Sequence, residues 1–235
     1  YLTMDGYQYR VLIEHRNGHT KWSDVAILHI DELPDASINP TRDTLCSAGS
    51  TDFLITSHIP ISSYELANIS YGEGDSSSNI LTGPDRIVQT LFNYSDAVDS
   101  VRYIATPTGA GLAQCVGHNG YAIALVNPNP RIQANRTPLD TLFCNNSEII
   151  FDLSNLVTTT GIIQYNLDVF SDNIVDFNGY ELPSSGRVPV EPGIDFTDTL
   201  SHTNADIIDI SYSFQPFIYN AFGGTAGTSC YGDPE

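Results

Sequence analysis

Four cysteines, six histidines and 28 acidic residues are the groups through which this 235-residue chain could do chemistry. Cys46, Cys115, Cys144 and Cys230 allow three disulfide pairings. Cys115-x-x-His118 can be drawn with Cys46 and His58 as a zinc set, but zinc ligands come in closely spaced pairs and only one such pair is present. Isolated strand or surface side chains is the better reading of that set, and of His15, His19, His29 and His202. Asp168, Asp172 and Asp176 fall on one side of a strand, with Asn173 and Asn178 nearby, and are the leading calcium candidates. Asp96 with Asp99, and Asp31 with Glu32 and Asp35, come next. Calcium wants several oxygen ligands converging from loops, and no EF-hand loop is present, so a solvated acidic face is the stronger reading. No Gly-x-Ser-x-Gly elbow occurs, and the glycine-rich stretches 109–113 and 223–227 lack the lysine of a phosphate loop. Nothing selects a pair of carboxylates for glycoside cleavage. The expectation is a protein without catalytic residues and without a cofactor, calcium being the one exception left open.

The elements that must position these groups are strands. Tyr, Phe, Thr, Ile and Val are abundant, and Gly, Pro, Asn and Ser punctuate the chain at short intervals. No sustained helical period is present, and no run of 18 apolar residues could span a membrane as a helix. Hydrophobic residues make up 41% of the chain, enough for packed cores. Nine Lys and Arg against 28 acids give a net charge of −19, which excludes nucleic acid and anionic lipid surfaces as partners.

The chain also repeats itself. Asp43-Thr44-Leu45-Cys46 returns as Asp140-Thr141-Leu142-Phe143-Cys144, the two cysteines lying 98 positions apart. Tyr103, Pro107, Cys115 and Gly117 return as Tyr212, Pro216, Cys230 and Gly232. A period near 100 residues indicates a string of similar modules. Strands at 8–15-residue spacing make each module an immunoglobulin-like β-sandwich. Residues 1–33 read as the closing hairpin of a preceding unit, turning at Asn17-Gly18. Residues 34–128 form a complete unit, and 129–235 a second one lacking its last strand. Between the two lies Asn127-Pro128-Asn129-Pro130, a stiff extended joint. Trp22, the one tryptophan, is expected to pack in a core.

Sandwich geometry bears on the cysteines. The connection between the first two strands and the loop before the last strand lie at opposite ends of a unit, roughly 20 Å apart. A disulfide needs Cα atoms within about 7 Å. Bonds within a unit, Cys46–Cys115 and Cys144–Cys230, therefore fit poorly. In a head-to-tail array the same ends of adjacent units meet, so Cys46–Cys230 is favoured, with Cys115 and Cys144 pairing to neighbouring repeats. Intra-unit bonds and free thiols remain the alternatives.

Cys46 to Gly49, Tyr103…Pro107…Cys115-x-Gly117 and the Asn-Pro-Asn-Pro joint, with their second copies, resemble the PKD-like and immunoglobulin-like tandem repeats of giant Bacteroidota surface adhesins of the SprB gliding-motility type. The resemblance covers nearly the whole chain except the first hairpin. It implies type IX secretion, display on the cell surface and a role in adhesion or gliding, with neighbouring repeats as partners and surface glycans or abiotic surfaces as targets. It also implies O-glycosylation at Asp-[Ser/Thr]-apolar sites, here Thr44, Ser100, Thr141 and Thr199, although ordinary strand-edge residues explain the same pattern. The sequons at Asn68, Asn93, Asn135 and Asn145 matter only in a eukaryotic secretory host. The alternatives to a surface stalk are a carbohydrate- or ligand-binding module and the accessory domains of a secreted hydrolase.

Overall fold

In the computed structural model of the chain, the described residues are 4–71, 81–83, 86–139, 142–171, 196–203, 205–219 and 230–234. They form strands and no α-helix. The N-terminal segment folds back on itself through β1 (Gln8–Tyr9), β2 (Leu12–Glu14), β3 (Thr20–Trp22) and β4 (Ala26–Ile27), with β1 antiparallel to β4 and β2 to β3. Gly18 turns the chain at a φ of 82°, which only glycine adopts freely. The ribbon is interrupted where the Val11 amide donates to the Ser23 hydroxyl at 2.9 Å. Both faces are exposed along all four strands. Trp22 is 57% exposed, which corrects the expectation of a core ring. A two-stranded ribbon has no second layer to cover it.

The first core is a sandwich of β5 (Ser37–Asn39), β6 (Arg42–Cys46), β7 (Gly49–Ser50), β8 (Phe53–Thr56), β9 (Ile61–Tyr71), β10 (Leu81–Gly83), β11 (Arg86–Val88), β12 (Thr90–Leu91), β13 (Asp99–Gly109) and β14 (Gly120–Asn127). One layer runs β10-β11-β8-β5, extended by the β12-β7 pair; the other runs β6-β14-β13-β9. In β13 every second residue is buried, so Val101, Tyr103 and Ala105 face Phe53, Ile55 and Ile87 of the opposite layer. β14 lies between β13, to which it is antiparallel, and β6, to which it is parallel.

The second core uses β15 (Ile132–Thr137), β16 (Ser147–Asn155), β17 (Ile162–Ser171), β18 (Phe196–Leu200), β19 (Ile210–Tyr219) and β20 (Cys230–Tyr231). Its layers are β15-β16-β18 and β17-β19-β20. This is an all-β, immunoglobulin-like architecture. One internal feature recurs in both cores, a tyrosine hydroxyl bonded to a residue fourteen positions earlier. The Tyr103 hydroxyl donates to Gln89 Oε1 at 2.6 Å, and the Tyr212 hydroxyl donates to Asp198 Oδ2 at 2.6 Å. Burial pushes the Tyr103 hydroxyl up to about 12. It pushes Tyr212 up as well, and there the Asp198 carboxylate adds to the shift.

Candidate functional site: the bridged joint between the cores

Cys46 and Cys230 are joined by a disulfide with Cα atoms 5.5 Å apart. Each sulfur sits at the end its strand dictates. β6 runs parallel to β14 and delivers Cys46 opposite Asn127, the last residue of the first core. β20 pairs with β19 through Cys230 and Ile218, which places Cys230 in the second core's buried cluster. Cys46 packs against that same cluster although its strand belongs to the first core. The bond closes a loop spanning 184 residues. A constraint of that length stabilises by roughly 4 kcal/mol through the unfolded state.

Polar contacts complete the joint. Asn127 is fully buried, and its side-chain amide donates to Thr160 Oγ1 at 2.9 Å while its carbonyl oxygen accepts the Thr160 amide at 2.8 Å. Both ends of a buried amide are thereby satisfied. The Thr158 amide donates to the Asp96 carbonyl at 2.8 Å, and the Asp96 carboxylate pairs with Arg131. Asp96, a second-rank calcium candidate, is thus engaged by a cation of the protein itself.

The entry to each core is built alike. The Gly117 amide donates to the Pro107 carbonyl and the Gly232 amide to the Pro216 carbonyl, both at 2.9 Å. A Cβ on Gly117 would fall 1.9 Å from the Pro34 oxygen, and one on Gly232 would fall 1.9 Å from the Pro130 oxygen. Only glycine lets the entering chain lie against the Cys-x-Gly loop.

The turn after each first cysteine is also repeated. Ala48 and Asn146, two residues beyond Cys46 and Cys144, both have a φ of 66°. Their amides donate to Leu91 and Leu200 carbonyls at 2.8 and 2.7 Å. The Asn93 amide donates to Ser47 Oγ at 3.0 Å, and the His202 amide to Asn145 Oδ1 at 2.9 Å. Cys115 and Cys144, the two remaining cysteines, are free thiols, half-buried and exposed respectively. Cys115 borders a recess with Asp31, Glu32, Ile59 and Pro60, where Asp31 Oδ2 accepts the Ala113 amide at 2.6 Å.

Other candidate residues fall elsewhere. Cys46 has its sulfur in the disulfide, so the drawn zinc set with Cys115, His118 and His58 is not assembled. His58 instead contacts the Asp35 carboxylate through Nδ1 and approaches Glu32 at 3.4 Å. The Asp35 carboxylate holds the His58 imidazole above its ordinary value, and the same hydrogen bond holds Asp35 below its own. Among the described residues no three His, Cys, Asp or Glu side chains converge as a metal site. Asp168 is exposed on β17; Asp172, Asp176 and Thr141 lie outside the described residues. Of the hydroxyl candidates, Thr199 is exposed on β18, while Thr44 and Ser100 are half-buried within paired strands. Asn93 cannot carry a sugar in the folded chain, because it is 3% exposed and its Nδ2 donates to the Ala97 and Val126 carbonyls.

No family model matches the chain, and no curated protein matches it either. Among solved structures the chain is similar to the Clostridium thermocellum CbhA fibronectin(III)-like modules, at 13% identity and a TM-score of 0.32 over 85% of this chain and 90% of that one. It is similar to the N-terminal four Ig domains of Dscam1 isoform 4.4, at 13% identity and a TM-score of 0.34 over 97% of this chain and 53% of that one. A third similarity is to CBD12 from CALX1.2, at 13% identity and a TM-score of 0.28 over 80% of this chain and 83% of that one. The immunoglobulin-like architecture rests on the strand order and layer packing described above.

Proposed function

We propose that this chain is a mechanical stretch of a larger extracellular polypeptide, a surface stalk or filament of tandem β-sandwich units with an adhesive role. In this reading 34–128 and 129–235 are successive units, and 1–33 is the closing hairpin of another. The carrying observation is the Cys46–Cys230 bond, which ties one core to the next where a multidomain protein would otherwise bend. Buried Asn127 and the Asp96 contacts support the same stiffness. Cys144 occupies the turn that Cys46 occupies, and Cys115 the Cys-x-Gly position of Cys230, and in this reading each bonds a further unit in an oxidising compartment. The disulfide and acidic charge suit display outside the cell. O-glycans at Thr44, Ser100, Thr141 and Thr199 belong to this reading, and calorimetry would read any calcium held at Asp168, Asp172 and Asp176.

Small-angle scattering tests the reading. The oxidised chain is expected to give a two-bead profile of one fixed length, and reduction should broaden its distance distribution. A distribution that is single-globule in both redox states overturns it.

A further inference from the structure

We infer that the outer face of the β6-β14-β13-β9 sheet is a lateral docking surface for a second copy of this chain, and that it receives the outer face of β17 and β19 from that copy. The inference goes beyond the stalk reading and does not depend on it, since it concerns the flank of each core and not the joint.

Strand alternation decides what each sheet shows to solvent. Val101, Tyr103, Ala122 and Ala124 turn inward, so Arg102, Ile104, Tyr121, Ile123 and Leu125 turn outward. The register sets Ile123 between Arg102 of β13 and the exposed Arg42 of β6. Each arginine is thus one strand spacing, about 5 Å, from the same isoleucine. The Arg102 guanidinium lies over the Tyr121 ring, 4.7 Å from its centroid. Stacking fixes the guanidinium plane and leaves its N–H edge free for a carboxylate.

Charge makes this row informative. The chain has 28 acids for nine Lys and Arg. Arg86 pairs with Asp52 and Arg131 with Asp96, yet among the described residues neither Arg42 nor Arg102 meets a carboxylate. Glu65 is the acid that alternation puts on the same face, and it stands beyond the Ile104 row, opposite Thr106. Two unpaired arginines on an apolar sheet face are complemented by carboxylates that flank an apolar side chain on a partner.

The second core carries that complement. Asp168 and Phe170 are exposed on β17, opposite Ser213 and Ser211 of β19, and the exposed Asp209 lies two residues before Ser211. Phe170 is 61% exposed, and its row lies between the two acids as Ile123 lies between the two arginines. Aligning Tyr103 with Tyr212 puts Asp168 where the first core has Ala67, and Asp209 where it has Ser100. The same face therefore has opposite charge in the two cores. A contact between unlike faces leaves one face of each kind open, so copies add in a staggered row and not as a closed pair. The net charge of −19 opposes approach from afar, but at about 0.15 M salt it is screened beyond roughly 8 Å while contact pairs are not. Thr44 and Ser100 flank Leu125 in the adjoining row, so a sugar on either would cap this face.

The test is sedimentation equilibrium of the full, unglycosylated chain at about 0.15 M salt, with its disulfide intact and its free thiols alkylated. The average mass is expected to climb as concentration approaches about 1 mM, the range of a small, weak interface. Arg102→Glu and Asp168→Arg should each weaken association about tenfold or more, with Arg42→Glu as a second reversal on the same row. The double variant Arg102→Glu, Asp168→Arg exchanges the two signs and should recover association. Thermal melts matching the parent chain keep loss of fold out of the comparison. A chain that stays monomeric at every concentration, association indifferent to the single reversals, or a double variant no better than the singles would each overturn the inference. Capture of an acidic polysaccharide by a chain that remains monomeric would overturn it too, and would assign the arginines to a glycan. A single-globule scattering profile from dilute chain would sink the stalk reading without touching this result.

Discussion

Cys46 and Cys144 stand in the same left-handed turn with the same amide contacts, yet one is bonded and the other exposed and free. The turn is a property of each core; the bond is a property of what abuts it. A parallel contrast runs through the interiors. Tyr103 rests its hydroxyl on the neutral amide of Gln89, while Tyr212 rests on the carboxylate of Asp198. Shared backbone geometry thus coexists with divergent chemistry, and stability should be more alike between the cores than their response to individual substitutions.

The largest effect expected from breaking this contrast comes from the bridge. Replacing Cys46 and Cys230 by serine should lower stability by roughly 4 kcal/mol in denaturant melts, whereas Cys144→Ser should leave the midpoint in place. Next come the entry glycines. Gly232→Ala and Gly117→Ala each force a methyl group onto a proline carbonyl, and each should cost about 1–3 kcal/mol, read as a drop in Tm. Tyr212→Phe should follow, at about 1.5–3 kcal/mol for a hydrogen bond to a charged group, against about 1 kcal/mol for Tyr103→Phe. Equal losses would show that the Asp198 contact contributes no more than the neutral Gln89 one.

The smallest effect is the pH response of the connector before the first core. His58 is held above its ordinary value, so its contribution is complete below about pH 6.5 and fades as pH rises through the raised value. Asp35 is held below its ordinary 3.8, so its contribution is present above that pH and fades as pH falls through the lowered value. The contact should be tightest between those limits. The protection of the Ala36 and His118 amides, taken relative to their intrinsic exchange at each pH, should fall as pH rises through the raised His58 value, and His58→Gln should flatten that profile.

What could be seen beforehand divides along the range of the forces involved. β13 is legible because Val101, Tyr103 and Ala105 alternate with half-exposed residues, a local signal. β6 carries no such signal, because a parallel partner on β14, far along the chain, decides its pairing. Trp22 misled because ring size suggests burial, while burial depends on a second layer that a ribbon lacks. The recurrence of Cys, Pro and Gly in the sequence marks the turn and loop that the two cores share, but the Asp35–His58 contact leaves no such mark. It arises only when the connector folds back against the loop after β8.

Gly117 and Gly232 lie so close to a carbonyl oxygen that a single methyl group would wedge the arriving chain off its bed. That makes Pro–(long interval)–Cys-x-Gly a ruler. Wherever a longer polypeptide carries the same marks in the same order, another bead of this kind can be counted from its letters, and its bridging cysteine located in advance.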